Sequence, residues 1–336
     1  MISLHRKIKK LYHPEIFQGD KKKKHYFEGW YYKSILPSFE KSVVIIPGIA
    51  LGKDENSGHA FIQVMASPEG KSFYIPFSRD DFSSSHNELD IHIGKNHFTR
   101  HELQVDIEES DLVLKGHLRF SRTMALKPRL FNPGIMGWYS FMPFMECYHG
   151  LVSMGHEVNG TLSLNGESVN FNKGKGYIEK DWGKSMPSSW IWMQSNCFAD
   201  PGMSFMLSVA RIPWLKNSFT GFLGALMIAG NIHVFATYTG ARVYDFSFEE
   251  GKVSCSIDDN MFLIEVEGIH GGIKKGVLQA PLFGEMERRI GETVDGQINV
   301  KITDKKNGRV IEDIGSAAGI ELVGAMTELA HERKNF

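Results

Sequence analysis

Two runs, Leu103-Gln104-Val105-Asp106-Ile107 and Leu112-Val113-Leu114-Lys115-Gly116-His117-Leu118, decide how this chain reads. Leu103, Val105 and Ile107, then Leu112, Leu114 and (past Gly116) Leu118, fall on every second position. That is the period of a strand with one face buried. Similar runs lie at His59 to Met65, Met203 to Val209, Phe262 to Val266 and Gln297 to Ile302. Asn159-Gly160, Asn165-Gly166, Glu250-Gly251 and Asn307-Gly308 punctuate them as turns. Short strands at roughly 8 to 12 residue spacing predict an all-β protein, a sandwich or barrel. One helix is expected, C-terminal, around Val323 to Arg333.

Length and composition bound the rest. The 336 residues suit one large or two medium domains, and 42% hydrophobic residues supply a core. Lys and Arg total 38 against 39 Asp and Glu, so no global field argues for nucleic acid. Three cysteines, Cys147, Cys197 and Cys255, exclude a disulfide framework or a four-cysteine zinc site. The N-terminus has no apolar core of a secretory leader, and Phe219 to Ala236 is too broken by Asn231, His233 and glycines for a membrane helix. A cytoplasmic location is expected.

Arg6, Lys7, Lys9, Lys10 and Lys21 to Lys24 make residues 1–25 a basic segment, read first as a solvated tail. Its alternative is a peripheral contact with anionic lipid, worth ~1 kcal/mol per cation. Phe27-Glu28-Gly29-Trp30-Tyr31-Tyr32-Lys33 and Ser189-Trp190-Ile191-Trp192-Met193-Gln194-Ser195 echo each other. They place a boundary near 183–188, with domains over 26–183 and 184–336. Ser121 to Met145, rich in Pro and Gly, reads as an insertion or lid.

Gly183-Lys184-Ser185 resembles the end of a phosphate loop, but Ile178 stands where glycine is required. His97 and His101 have zinc-helix spacing in a region that reads as β, without the expected Glu, so no metal site is assigned. Cys147 and His149 lack an identifiable third member of a thiol triad. The richest stretch is Gly174-Lys175-Gly176-Tyr177-Ile178-Glu179-Lys180-Asp181-Trp182-Gly183. As a strand it puts Tyr177, Glu179 and Asp181 on one face, equipment for a general acid. Trp190, Trp192, Gln194 and Asn196 share a face that could stabilise a cation, and Glu28, Trp30 and Tyr32 repeat the acid-plus-aromatic arrangement. Trp30, Trp190 and Trp192 are expected to line an apolar cavity.

These residues carry a resemblance. The block Tyr26 to Lys33, the segment Gly134 to Met154, and the blocks Gly176 to Gly183, Trp190 to Asn196 and Ala318 to Gly324 resemble the tocopherol cyclase family, with distant similarity to carotenoid 1,2-hydratases and AttH-like proteins. The resemblance implies two lipocalin-like β-barrel domains in tandem. It also implies a cofactor-free reaction: protonation of an alkene in a prenylated hydroquinone, then closure of the phenolic oxygen on the cation to give a chromanol. Glu179 is the expected acid, since the hydratases carry Tyr-x-Asp where this chain has Tyr177-x-Glu179. The plant cyclases tend to Asn at the position of Asp181, which leaves its role open. Tyr177 and His149 would orient acid or quinol. Glu28, Trp30, Tyr32, Trp138, Trp190, Trp192, Gln194 and Asn196 would hold a hydrophobic small molecule. A noncatalytic isoprenoid carrier and a hydratase are the alternatives.

Overall fold

The computed structural model describes residues 4–54, 57–67, 70–214, 216–270 and 276–330. Helix α1 (Leu4–Tyr12) precedes β1 (Tyr26–Ile35), β2 (Ser42–Leu51), β3 (His59–Ala66) and β4 (Lys71–Ser78). Then come β5 (Phe82–Ser84), β6 (Asp90–Ile93), β7 (Asn96–Thr99), β8 (Glu102–Glu109) and β9 (Leu112–Ser121). The first sheet is completed by β10 (Cys147–Leu164), β11 (Glu167–Asn170) and β12 (Gly174–Gly183). Its path is β4-β3-β2-β1-β12-β10-β9-β8-β7-β6-β5, with β11 on β10.

The second sheet holds β13 (Trp190–Ser195), β14 (Ser204–Trp214), β15 (Asn217–Ile228), β16 (Asn231–Ala236) and β17 (Arg242–Glu249). It continues through β18 (Lys252–Asp258), β19 (Phe262–Ile269), β20 (Gly276–Leu282), β21 (Glu285–Asp304) and β22 (Val310–Val323). Its path is β16-β15-β14-β13-β22-β21-β19-β18-β17, with β20 on β21. The fold is all-β and lipocalin-like, built on two antiparallel sheets.

The deciding hairpin forms as its alternation requires. Leu103 pairs with Leu118 and Ile107 with Leu114, and all six alternating residues lie in the first apolar core. That core also takes in Trp30, Tyr32, Val152 and Ile178. A separate core around Ile191, Met193, Phe205, Leu207, Ile264 and Ile320 serves the second sheet.

Two compact units divide the chain. The first comprises Met1–Ala66, Lys71–Met186 and Leu278–Arg289; the second comprises Ser67–Gly70, Pro187–Val277 and Ile290–Phe336. The first unit is therefore not one continuous stretch. Leu278–Arg289 returns to it, and Gln63 and Gln279 exchange hydrogen bonds of 3.0 and 2.8 Å.

Local expectations change at the two ends of the chain. The C-terminal helix is α2 (Met326–Ala330): Val323 ends β22, and 331–333 lie outside the described residues. The basic tail instead contains α1, where Lys10 is buried against Asp20 at 2.7 Å. So short a helix is marginal alone and is held by such tertiary contacts. Phe219 to Ala236 falls in β15 and β16, and among the described residues no helix is long and apolar enough to cross a membrane. Ser121 to Met145 carries a bridge between Arg129 and Asn132 and a 3-10 turn over Gly137–Phe141.

Candidate active site

The site grows from the three-strand ribbon β1–β12–β10. Tyr31 of β1 and Leu151 of β10 flank Glu179 of β12; Gly29 and His149 flank Asp181 in the same way. Directly opposed residues point to one face, so Tyr177, Glu179, Asp181, Tyr31 and His149 share it. Ile178, Lys180 and Trp182 take the other face, where Ile178 joins the first core and Trp182 packs against a smaller cluster of Tyr26, Ile49 and Leu51.

A chain of polar contacts runs across the shared face. Tyr177 donates its hydroxyl to Glu179 Oε2 at 2.5 Å. His149 Nε2 lies 3.4 Å from the same oxygen, an ion-pair distance without hydrogen-bond alignment. On its other side His149 Nδ1 meets Asp181 Oδ1 at 2.9 Å. The side chains of His149 and Glu179 are 10% and 5% exposed and that of Asp181 28%, so one end of the chain reaches solvent.

Burial of His149 disfavours its charged form, yet Glu179 and Asp181 outweigh this and push its pKa up to about 10. The imidazole is therefore an imidazolium at neutral pH, held between two carboxyl groups. Burial, then Glu179, raises the Tyr177 phenol far above its ordinary range, so it stays a donor. Cys147, with Sγ 4.0 Å from Asp181 Oδ1, is raised by burial and by that carboxyl, which makes it a poor thiolate.

His149, Glu179 and Asp181 bring ligand atoms within 4.8 Å of one another, as do Asp90, His92 and His97 at the surface. A metal at the first group would have to displace the proton that both carboxyls stabilise on His149. The second group engages His97, paired with Asp90 at 3.0 Å and stacked on His92, without His101.

The other expected site residues lie elsewhere. Glu28 is wholly buried on the opposite face, ion-paired to Lys180, and accepts from the backbone N–H groups of Gln18 and Gly19 and from the Tyr26 hydroxyl. Lys180 also donates to the carbonyls of Pro14 (2.7 Å) and Ile16 (2.8 Å), and sits over the rings of Trp30 and Trp182. Trp30 donates to Glu15 O and Tyr32 to Thr99 O, both inside the first core. These side chains are structural neighbours of one another, not of Glu179. Trp138 is 41% exposed on the 3-10 turn and stacks on Tyr139.

Trp190, Trp192 and Gln194 belong to β13 of the second unit, with Asn196 just beyond it, and all four are buried. Trp190 Nε1 donates to Glu321 at 2.5 Å, and Gln194 to Asn196 at 3.5 Å. Gly319 leaves room for the Trp192 ring: a Cβ there would lie 2.7 Å from it. Glu321 faces buried Glu292 across β21 and β22.

Sequence reasoning passed over Tyr31 and Lys33. Lys33 opposes Tyr177 and is fully buried. Their signal exists only in the β1–β12 register, and a lysine otherwise reads as solvated.

Fold and site together define a lipocalin-like, all-β protein with a buried phenol–carboxyl–imidazole–carboxyl chain on one sheet. The chain belongs to the tocopherol cyclase-like family, whose model matches residues 127–324. It is 24% identical over 199 residues to the chloroplastic tocopherol cyclase of Zea mays, covering 56% of this chain and 41% of that protein. Its assigned counterpart in Oryza sativa subsp. japonica is 23% identical over 197 residues, 56% of this chain and 42% of that protein. The match thus spans about two fifths of each relative's length. Among solved structures, a protein assigned as an AttH from Nitrosomonas europaea aligns with TM-score 0.53 and 15% identity over 88% of this chain and 92% of that one. Kievitone hydratase from Nectria haematococca aligns with TM-score 0.51 and 11% identity, over 88% and 89%.

Proposed function

We propose that this protein catalyses the cofactor-free, acid-driven cyclisation of a prenylated hydroquinone to a chromanol. The observation that carries the reading is the Tyr177–Glu179–His149–Asp181 chain at 2.5, 3.4 and 2.9 Å. Glu179 takes the proton held on the His149 imidazolium and gives it to the ring-proximal alkene, leaving a tertiary cation. The phenolic oxygen forms the new C–O bond and its proton returns through Glu179 to His149, so the reaction is an isomerisation and needs no oxidant. Asp181 holds His149 in place between turnovers. Tyr177 fixes the carboxyl, and the Tyr31 ring opposite Glu179 offers a π-face to the cation, worth ~0.5–2 kcal/mol. Burial of the chain supports exclusion of water, which alkene protonation requires. Family membership supports a hydrophobic prenylated substrate.

The test is turnover of a prenyl quinol in detergent by parent and Glu179→Gln protein. The parent should yield a product of equal mass and altered retention. The variant should bind the quinol and lose ~10²-fold or more in rate, the scale of general acid catalysis. Quinol recovered unchanged from the parent would favour an isoprenoid carrier. A product heavier by one water would favour hydration through the same cation, the type of reaction named for the kievitone hydratase neighbour.

A further inference from the structure

We propose that two apolar tips of the first unit, Leu130–Phe131 and Leu282–Phe283, dock this protein on the surface of an anionic lipid bilayer. The two tips are built alike. Arg129 and Asn132 exchange backbone hydrogen bonds of 2.8 and 2.9 Å and push the two residues between them outward. Leu130 and Phe131 are 72% and 77% exposed, far beyond what a core-seeking side chain shows at an ordinary turn. Phe283 lies at the β20–β21 turn with φ 50°, followed by Gly284 at φ 83°. Left-handed backbone is costly for a bulky residue, and Phe283, 52% exposed, recovers only part of a buried ring's packing for it. Phe141 and Phe144 add exposed apolar surface to the first tip's segment.

Charge selects the occupant. Residues 121–145 carry Arg122, Lys127 and Arg129 and no Asp or Glu, in a chain whose net charge is -1. Tyr12 donates to Leu130 O at 2.6 Å, which ties α1, with exposed Lys7, to the first tip. Leu4 and Ile8, one turn apart on α1, are exposed as well. At the second tip His25 Nδ1 donates to Phe283 O at 3.2 Å and brings exposed Lys21 to Lys24 alongside. Exposed Lys7 and Lys21 to Lys24 thus belong to segments tied to the two apolar tips, while Arg6 and Lys10 are paired with Asp20. Insertion of the apolar groups with attraction of the cations to anionic headgroups is the physics of an interfacial anchor.

The role of this surface in substrate supply rests on the quinol reading above, since a prenyl quinol partitions into bilayers; the docking itself does not. The segment from Phe144 runs directly into Cys147 and His149, and the Tyr148 hydroxyl donates back to Met142 O at 2.5 Å. Docking would therefore engage the chain next to the candidate acid site.

Flotation of the full chain with phosphatidylcholine vesicles, with and without about 30% phosphatidylglycerol, tests this. Binding to the anionic vesicles alone, weakened by salt, is expected. Phe131→Ser and Phe283→Ser should each reduce partitioning on the order of tenfold, with circular dichroism unchanged because both positions are exposed. Failure of the parent to float would overturn the proposal. So would a double variant that floats like the parent, or concentration-dependent self-association abolished by Phe131→Ser. Turnover in detergent separates the two readings: docking without turnover removes the cyclase, and turnover without docking removes the anchor.

Discussion

His149 and His156 sit in the same strand and carry opposite electrostatic problems. His149 is raised to about 10 by two carboxyls, whereas burial alone pushes His156 down to about 3. His156 Nδ1 meets Ser153 Oγ at 3.0 Å, and its ring lies 4.6 Å from that of Phe120, so among the described residues no carboxylate pairs with it to offset the burial. An ordinary histidine in the unfolded chain titrates near ~6.5. Folding with neutral His156 is therefore favourable above that value and is opposed increasingly as pH falls toward 3. His149 behaves in reverse: its contribution is complete below ~6.5 and is lost as pH rises through about 10. Denaturant titrations should place maximum stability near ~6.5. Between pH 7 and about 5 the parent should lose ~2 kcal/mol more than His156→Leu. Turnover should hold across neutral pH and fall toward pH 10, and Asp181→Asn should move the fall to lower pH. A histidine resonance at His149 titrating near ~6.5 would contradict this arrangement.

At the scale of elements, β12 separates two networks by alternation. Its one face presents Tyr177, Glu179 and Asp181; its other presents Lys180 to Glu28 and two tryptophans. Lys180→Ala would leave Glu28 buried without its cation, with an expected loss of ~3–5 kcal/mol. Turnover per folded molecule should change little, because the reacting groups lie across the sheet. Gly176 has a related duty: a Cβ there would lie 2.1 Å from His156 Nε2. Gly176→Ala should cost ~1–3 kcal/mol by displacing that ring, measurable as a lower denaturation midpoint. Both substitutions distinguish support of the ribbon from chemistry on it.

For the whole molecule, the return of Leu278–Arg289 to the first unit has a consequence for dissection. A fragment ending at Met186 would lose the Gln63–Gln279 pair and the backbone bond from Met186 N to Pro281 O at 3.1 Å. Such a fragment should melt below the intact chain, or fail to fold. A fragment supplemented with the 278–289 peptide should recover part of the difference. Equal melting of fragment and intact chain would show that the segment contributes nothing to the first unit.

Alternation at Leu103–Ile107, Leu112–Leu118 and Tyr177–Asp181 is a local property of the backbone, and the sequence by itself determined those strands and the grouping of Tyr177 with Glu179. It could not assign partners to faces. Glu28, Trp30 and Tyr32 have the same local pattern as an acid-and-aromatic site. Only the register of β1 on β12 sends them to the core side and brings Tyr31 and Lys33 to the face of Glu179. Asp181 likewise gains its place at His149 from the β10–β12 pairing, between residues 32 apart in the chain. The N-terminal segment read as a solvated tail because its charges are visible in sequence, while the buried partner that holds Lys10 is not. Strand period arises from bonds between neighbours, whereas the pairing of charges and the side of the sheet they occupy are set by contacts between distant residues, which only the folded chain brings together.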